Sequence, residues 1–115
     1  MSKLAKFLIN DLERDYNKPS IKFFRSNNAY GYIYWLNLMD SYYKNNDLSL
    51  ELIFSKLAKY ASRRTILYFT EKGIQGNFIE KKSLLPDKRK RIIIPSKLTI
   101  DEYEQWSKEF IKSIS

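Results

Sequence analysis

Residues 60–82, YASRRTILYFTEKGIQGNFIEKK, pass from one side-chain periodicity to another. Ile66, Phe69, Thr70 and Ile74 recur at the spacing of one helix face, and Ser62 stands where an N-cap belongs. Gly76-Asn77 supplies a left-handed stop, after which FIEKK reads as a short strand. Upstream, NNDLSLELIFSKLAKY (45–60) is a turn and then a helix capped by Ser49 or Asp47, with Ile53, Phe54, Leu57 and Ala58 facing inward. Only Tyr60-Ala61 separates this helix from the next. Downstream, RIIIP (91–95) is a second β-prone run, joined to the first by SLLPDK as a hairpin with a long loop. Two helices across a tight turn, followed by a basic hairpin, predict a winged helix-turn-helix.

The flanks fit around that unit. AYGYIYWLNLMDSYYKN (29–45) is apolar on most faces and predicts a central buried helix. At the N-terminus, Ser2 caps a helix whose stripe is Leu4, Leu8, Leu12 and Tyr16, ending at Asn17-Lys18-Pro19. Residues 19–28 read as a connector, with Ser26 or Asn27 capping the central helix. The C-terminal stretch TIDEYEQWSKEFIKSIS predicts an amphipathic helix with Ile100, Tyr103, Trp106, Phe110 and Ile114 on one side. The expected fold is mainly α with a small β-hairpin: one domain over 1–115, with an N-terminal helix (1–17), a winged-helix core (29–96) and a C-terminal helix (98–115).

Composition narrows the chemistry. The 115 residues include no cysteine and no histidine. That removes disulfides, thiolate metal sites, thiol nucleophiles and the commonest general base. Without a paired-carboxylate or glycine-rich phosphate motif, neither an enzyme nor a metal or other cofactor is expected. No apolar run approaches the roughly 18 residues that span a bilayer, and the acids Asp11, Glu13 and Asp15 interrupt any signal-peptide core. A cytoplasmic protein without a membrane partner is expected.

The net charge of +8 is concentrated. Lys56 to Arg91 holds eleven cations against three acids, a surplus of eight, whereas the remainder holds ten of each. One region therefore carries the whole excess, as a surface that meets a polyanion would. In a helix-turn-helix the second helix enters the major groove by its N-terminal end. Here that end is Ser62, Arg63, Arg64 and Thr65, followed by Tyr68 and Lys72. Arginine can pair with guanine O6 and N7, while hydroxyls hold phosphates. Two arginines at a helix N-terminus oppose its dipole, a placement that a phosphate neighbour would relieve. On the hairpin, Arg89 suits the minor groove, Asp87 can hold its guanidinium, and Lys81, Lys82, Lys88, Lys90 and Arg91 add cations.

From about Ala29 to Ser96 the chain resembles the winged-helix domain of the MarR family of transcriptional regulators. SRRT-I resembles that family's opening of the recognition helix, NFIEKK its entry to the wing, and DKRKRIII followed by serine its wing return. The resemblance implies a homodimer on double-stranded DNA. It implies that Asp87 and Arg89 form the wing salt bridge and minor-groove contact, and that Ser62 to Thr65 and Tyr68 touch bases and phosphates. Gly73 departs from the pattern, standing where the family has a large apolar residue. Two other uses of the fold stay open: a module for protein assembly, and a phage or plasmid replication or partition protein. A small-molecule effector would need a pocket, for which Tyr30, Tyr32, Tyr34, Trp35, Tyr42 and Tyr43 are candidates; residues of this kind at helical spacing are more often core.

Overall fold

Three serines begin three helices in the same way. Ser49, Ser62 and Ser96 hold extended backbone angles, and each accepts a hydrogen bond on its hydroxyl from the N–H three residues on (Leu52, Thr65 and Thr99; 3.1, 3.1 and 3.2 Å). A serine in this geometry satisfies one of the otherwise orphaned donors of a helix start. In the computed structural model, which describes residues 2–13, 18–26, 28–83 and 91–115, the order is α1 (Ser2–Glu13), α2 (Pro19–Arg25), α3 (Asn28–Tyr43), β1 (Leu48–Ser49), α4 (Leu50–Leu57), α5 (Arg63–Gln75), β2 (Ile79–Ser83), β3 (Arg91–Pro95) and α6 (Lys97–Ile114). The fold is a mainly α winged helix-turn-helix.

The wing is a three-stranded antiparallel sheet rather than a bare hairpin. Its order is β1-β3-β2, with Leu48 opposite Ile93, and Ile79 through Ser83 opposite Pro95 through Arg91. β1 has only two residues and leads directly into α4, so the sheet is fastened to the first helix of the helix-turn-helix. α5 ends in a Schellman motif: Phe78 N–H donates to the Gly73 carbonyl (2.8 Å) and Asn77 N–H to that of Ile74 (3.1 Å). Asn77 carries the left-handed φ of 64°, while Gly76 stays right-handed, so asparagine alone supplies the stop.

α3 is the central helix. Tyr34, Trp35, Leu38 and Met39 are sealed against Ile21 and Phe24 of α2, Ile53 and Leu57 of α4, Ile66 and Phe69 of α5, Ile79 and Ile93 of the sheet, and Trp106 of α6. In α4 the inward set is smaller than expected, with Phe54 half-buried and Ala58 exposed beyond the helix end. Gly73 is explained by close approach. A methyl group there would sit 2.9 Å from Ile79 Cγ1 and 3.3 Å from Phe23 Cε2. Phe23 fills the space, stacked on Phe69 and Phe78 with ring centroids 4.7 and 4.9 Å away.

Three flank expectations are corrected. Residues 19–25 form a helix, not a connector. Pro19 occupies its first turn, where a missing N–H costs nothing, and Glu102 of α6 accepts from Ser20 N (2.8 Å) and Ser20 Oγ (2.6 Å). Ser26 closes that helix rather than opening α3; Asn27 lies outside the described residues. Ser2 is itself helical, and the stripe of α1 does not bury: Leu4 is half-buried, Leu8 is 39% exposed and Leu12 72%. Phe7 goes inward in its place, edge-on to Phe110 at 5.7 Å and tilted against Trp106 at 6.4 Å. The same helix buries Asp11, which pairs with Arg25, whose guanidinium lies 5.4 Å from the Tyr32 ring. Tyr16 lies outside the described residues.

Candidate nucleic-acid interface

α5 presents two unlike sides. Ile66, Phe69, Thr70 and Gly73 are buried and Ile74 is half-buried, whereas Arg63, Arg64, Leu67, Tyr68, Glu71, Lys72 and Gln75 are exposed. The helix is fixed from behind by a buried polar contact. Thr70 Oγ1 donates to the Ile66 carbonyl (2.9 Å), which leaves the Tyr34 hydroxyl as donor to Thr70 Oγ1 (2.7 Å). Burial pushes the Tyr34 phenol well above its ordinary range. α3 thus sets how far α5 projects.

The two arginines differ. Arg63 leans back onto α4, where it pairs with Glu51 and its guanidinium lies 4.5 Å from the Phe54 ring centroid. Arg64 stands on the exposed face of the next position. Ser62 and Thr65 are engaged in the cap, with hydroxyls 2.9 Å apart. Tyr68 is 61% exposed, with the Lys72 ammonium 5.3 Å from its ring. Glu51 and Leu67 belong to this surface as well. The sequence contained a signal for each: Glu51 as an acid in the first turn of the preceding helix, Leu67 as an apolar residue three positions after Arg64.

Along the wing, Lys82 and Arg91 are exposed and Lys81 is half-buried, opposite Ile93. Asp87, Lys88, Arg89 and Lys90 lie outside the described residues. The described cations of the helix-turn-helix and wing therefore belong to one packed unit, α4, α5 and the turn between them, β2 and β3, and all but Lys81 are exposed.

The six aromatic candidates of α3 do not line one pocket, and four of them take the core reading. Tyr34 and Trp35 are sealed in the core, Tyr30 and Tyr32 are half-buried against it, and Tyr42 and Tyr43 lie exposed at the far end of α3. Tyr43 donates to Glu104 there, at 2.9 Å. Tyr30 borders a cleft of about 240 Å³ with Phe23, Tyr68, Phe69 and Lys72, at the side of α5. Among the described residues no cluster of acids could hold a metal ion, and no helix is long and apolar enough to cross a membrane.

No protein-family model and no curated protein matches the chain. Solved structures of a heme sensor protein, PefR, do superpose. Its complex with heme and carbon monoxide gives a TM-score of 0.57 at 18% identity, over 96% of this chain and 70% of that one. The heme complex from Streptococcus agalactiae gives 0.53 at 18% identity, over 96% and 75%. Heme-free PefR gives 0.51 at 16% identity, over 96% of both chains. The likeness is one of fold. It runs nearly the whole length of this chain, flanking helices included.

Proposed function

We propose that this protein is a double-stranded DNA-binding transcriptional regulator, with α5 in the major groove and the β2–β3 wing along the minor groove. The observation that carries the reading is the location of charge. The entire surplus of +8 falls between Lys56 and Arg91, in the helix-turn-helix and its wing, and the rest of the chain is neutral. Lys72, Lys81, Lys82, Arg91 and Tyr68 take phosphates, and Arg64 reaches base edges. Arg63, held by Glu51 and Phe54, orients the N-terminus of α5 and meets the backbone. The MarR resemblance supports assigning Asp87, Lys88, Arg89 and Lys90 to the wing's contact with DNA.

The active form is a homodimer built on α1 and α6. Leu8, Ile9 and Leu12 of α1 and Ile111 and Ile114 of α6 are exposed apolar side chains on the two flanking helices, which pack on one another. A two-fold pair would set two copies of α5 about 34–36 Å apart, one turn of DNA. Heme is not part of the proposal. The chain has neither histidine nor cysteine, and Met39 is fully buried in the core, so the commonest axial ligands are missing or sealed.

The test is binding of a random-sequence duplex pool across a series of salt concentrations. A dimer that uses several cations per subunit loses affinity steeply and linearly on logarithmic axes. Binding that is absent, or insensitive to salt, would overturn the reading in favour of a protein-assembly module.

A further inference from the structure

A stripe along one flank of the exposed side of α5 runs from Arg64 through Leu67 to Glu71, positions three and then four apart. Leu67 is 37% exposed and lies outside the buried set of Ile66, Phe69, Thr70 and Gly73. Its neighbours on α5 are committed elsewhere. Arg63 turns back to Glu51 and Phe54, and the ring of Tyr68 faces the Lys72 ammonium. Accepting α5 as the major-groove helix, on which this inference rests, the stripe meets base edges at Arg64 and Leu67 first.

A leucine is a poor neighbour for most of what the major groove offers. Phosphate oxygens and the N and O atoms of base edges lose water against it without gaining a hydrogen bond. The exception is the C5-methyl of thymine, the one apolar group on the floor of that groove. Glu71, a turn further on, repels phosphate and keeps this stripe over the bases. The rise from Arg64 to Leu67 is about 4.5 Å, close to the ~3.4 Å separation of base steps along one strand. The two side chains therefore address neighbouring base pairs. We propose that Leu67 is a specificity-determining residue that packs on a thymine methyl, beside a guanine read by Arg64.

The experiment uses the full chain. A random-sequence duplex pool is selected for binding, and each thymine of the enriched half-site is then replaced singly by deoxyuridine, which deletes the methyl and leaves the base pair. At one thymine the replacement weakens wild-type binding about fourfold, the factor expected for one apolar carbon removed from contact. Leu67→Ala binds the thymine and uracil duplexes equally, while Leu67→Met retains a preference for thymine; thermal melting of both variants checks that α5 is intact. If no uracil replacement changes affinity, or Leu67→Ala discriminates as wild type does, Leu67 is not a base reader and the DNA-binding reading stands without it. If no duplex is enriched at all, both fall together.

Discussion

Gly31 and Gly73 are glycines for the same geometric reason but with different tolerance. A methyl group on Gly31 would overlap the Phe24 carbonyl oxygen, a backbone atom that cannot move unless α2 moves. At Gly73 the obstacle is the end of the Ile79 side chain, with Phe23 close by. We expect Gly31→Ala to cost about 3 kcal/mol or more and Gly73→Ala about 1–2 kcal/mol, after the ~1 kcal/mol that alanine gains in a helix. Urea midpoints of the two variants check the order, and equal costs would contradict it. The arginines separate in a similar way. Arg64→Ala should leave stability unchanged, weaken binding to a selected duplex by ~1–3 kcal/mol, and relax preference at one base position. Arg63→Ala should weaken selected and scrambled duplexes alike, and lower stability by less than about 1 kcal/mol because its pair with Glu51 is exposed. Competition binding on both duplexes decides; the reverse pattern would make Arg63 the base reader.

At the scale of elements, α5 is seated by the burial of Ile66 and Phe69 and tied to α3 by one buried hydroxyl pair. Tyr34→Phe removes a hydrogen bond, yet Thr70 keeps its bond to Ile66, so about 1 kcal/mol is expected. Thr70→Val instead leaves the Tyr34 hydroxyl without its acceptor and should cost ~1–3 kcal/mol. The same phenol makes stability pH-dependent. Because burial raises it above its ordinary 10.0, folding favours the protonated form; its contribution is complete below that pH and declines as pH rises beyond it. Tyr43 and Tyr103 are pushed in the same direction, Tyr43 by partial desolvation together with its bond to the Glu104 carboxylate, Tyr103 by desolvation together with the Asp40 charge. Urea midpoints should therefore hold up to about pH 9 and fall as pH rises past 10.0, by less in Tyr34→Phe than in wild type. The elements differ in how plainly the sequence announces them. α5 is legible because cap, apolar period and stop all lie within residues 62–77. α2 is not: seven residues with two adjacent phenylalanines show no period, and the helix rests on Glu102 at its N-terminus and on burial of Ile21 and Phe24. β1 is less legible still, since two residues become a strand only by pairing with β3. In the site, the cations are visible from composition. That Arg63 leans on α4 while Arg64 projects is a tertiary fact, fixed by Glu51 twelve residues away.

For the whole molecule, the decisive question is what covers α1 and the end of α6. Leu12→Glu or Ile111→Glu should leave the fold intact, because both positions are largely exposed, and should convert a dimer to a monomer with weaker DNA binding. Sedimentation velocity at micromolar concentration reads this directly, and a wild-type monomer with full affinity for duplex would remove the dimer. Trp106 is unsuitable as a probe, since it is buried against Trp35 and a charge there would damage the core. Arg89→Ala should reduce the salt slope by about one unit if the wing adds one backbone contact. The placement of the two tryptophans has a practical consequence. Their rings are 5.1 Å apart, their indole N–H groups are buried without a hydrogen-bond acceptor among the described residues, and Phe7 of α1 covers Trp106. The chain thus carries a native fluorophore pair at the joint between α1, α3 and α6, and no tryptophan on the exposed side of α5. Its emission will shift to longer wavelength when α1 lifts away and water reaches the indoles, and will hardly change when α5 meets a duplex, so one cuvette can follow the flanking helices separately from DNA binding.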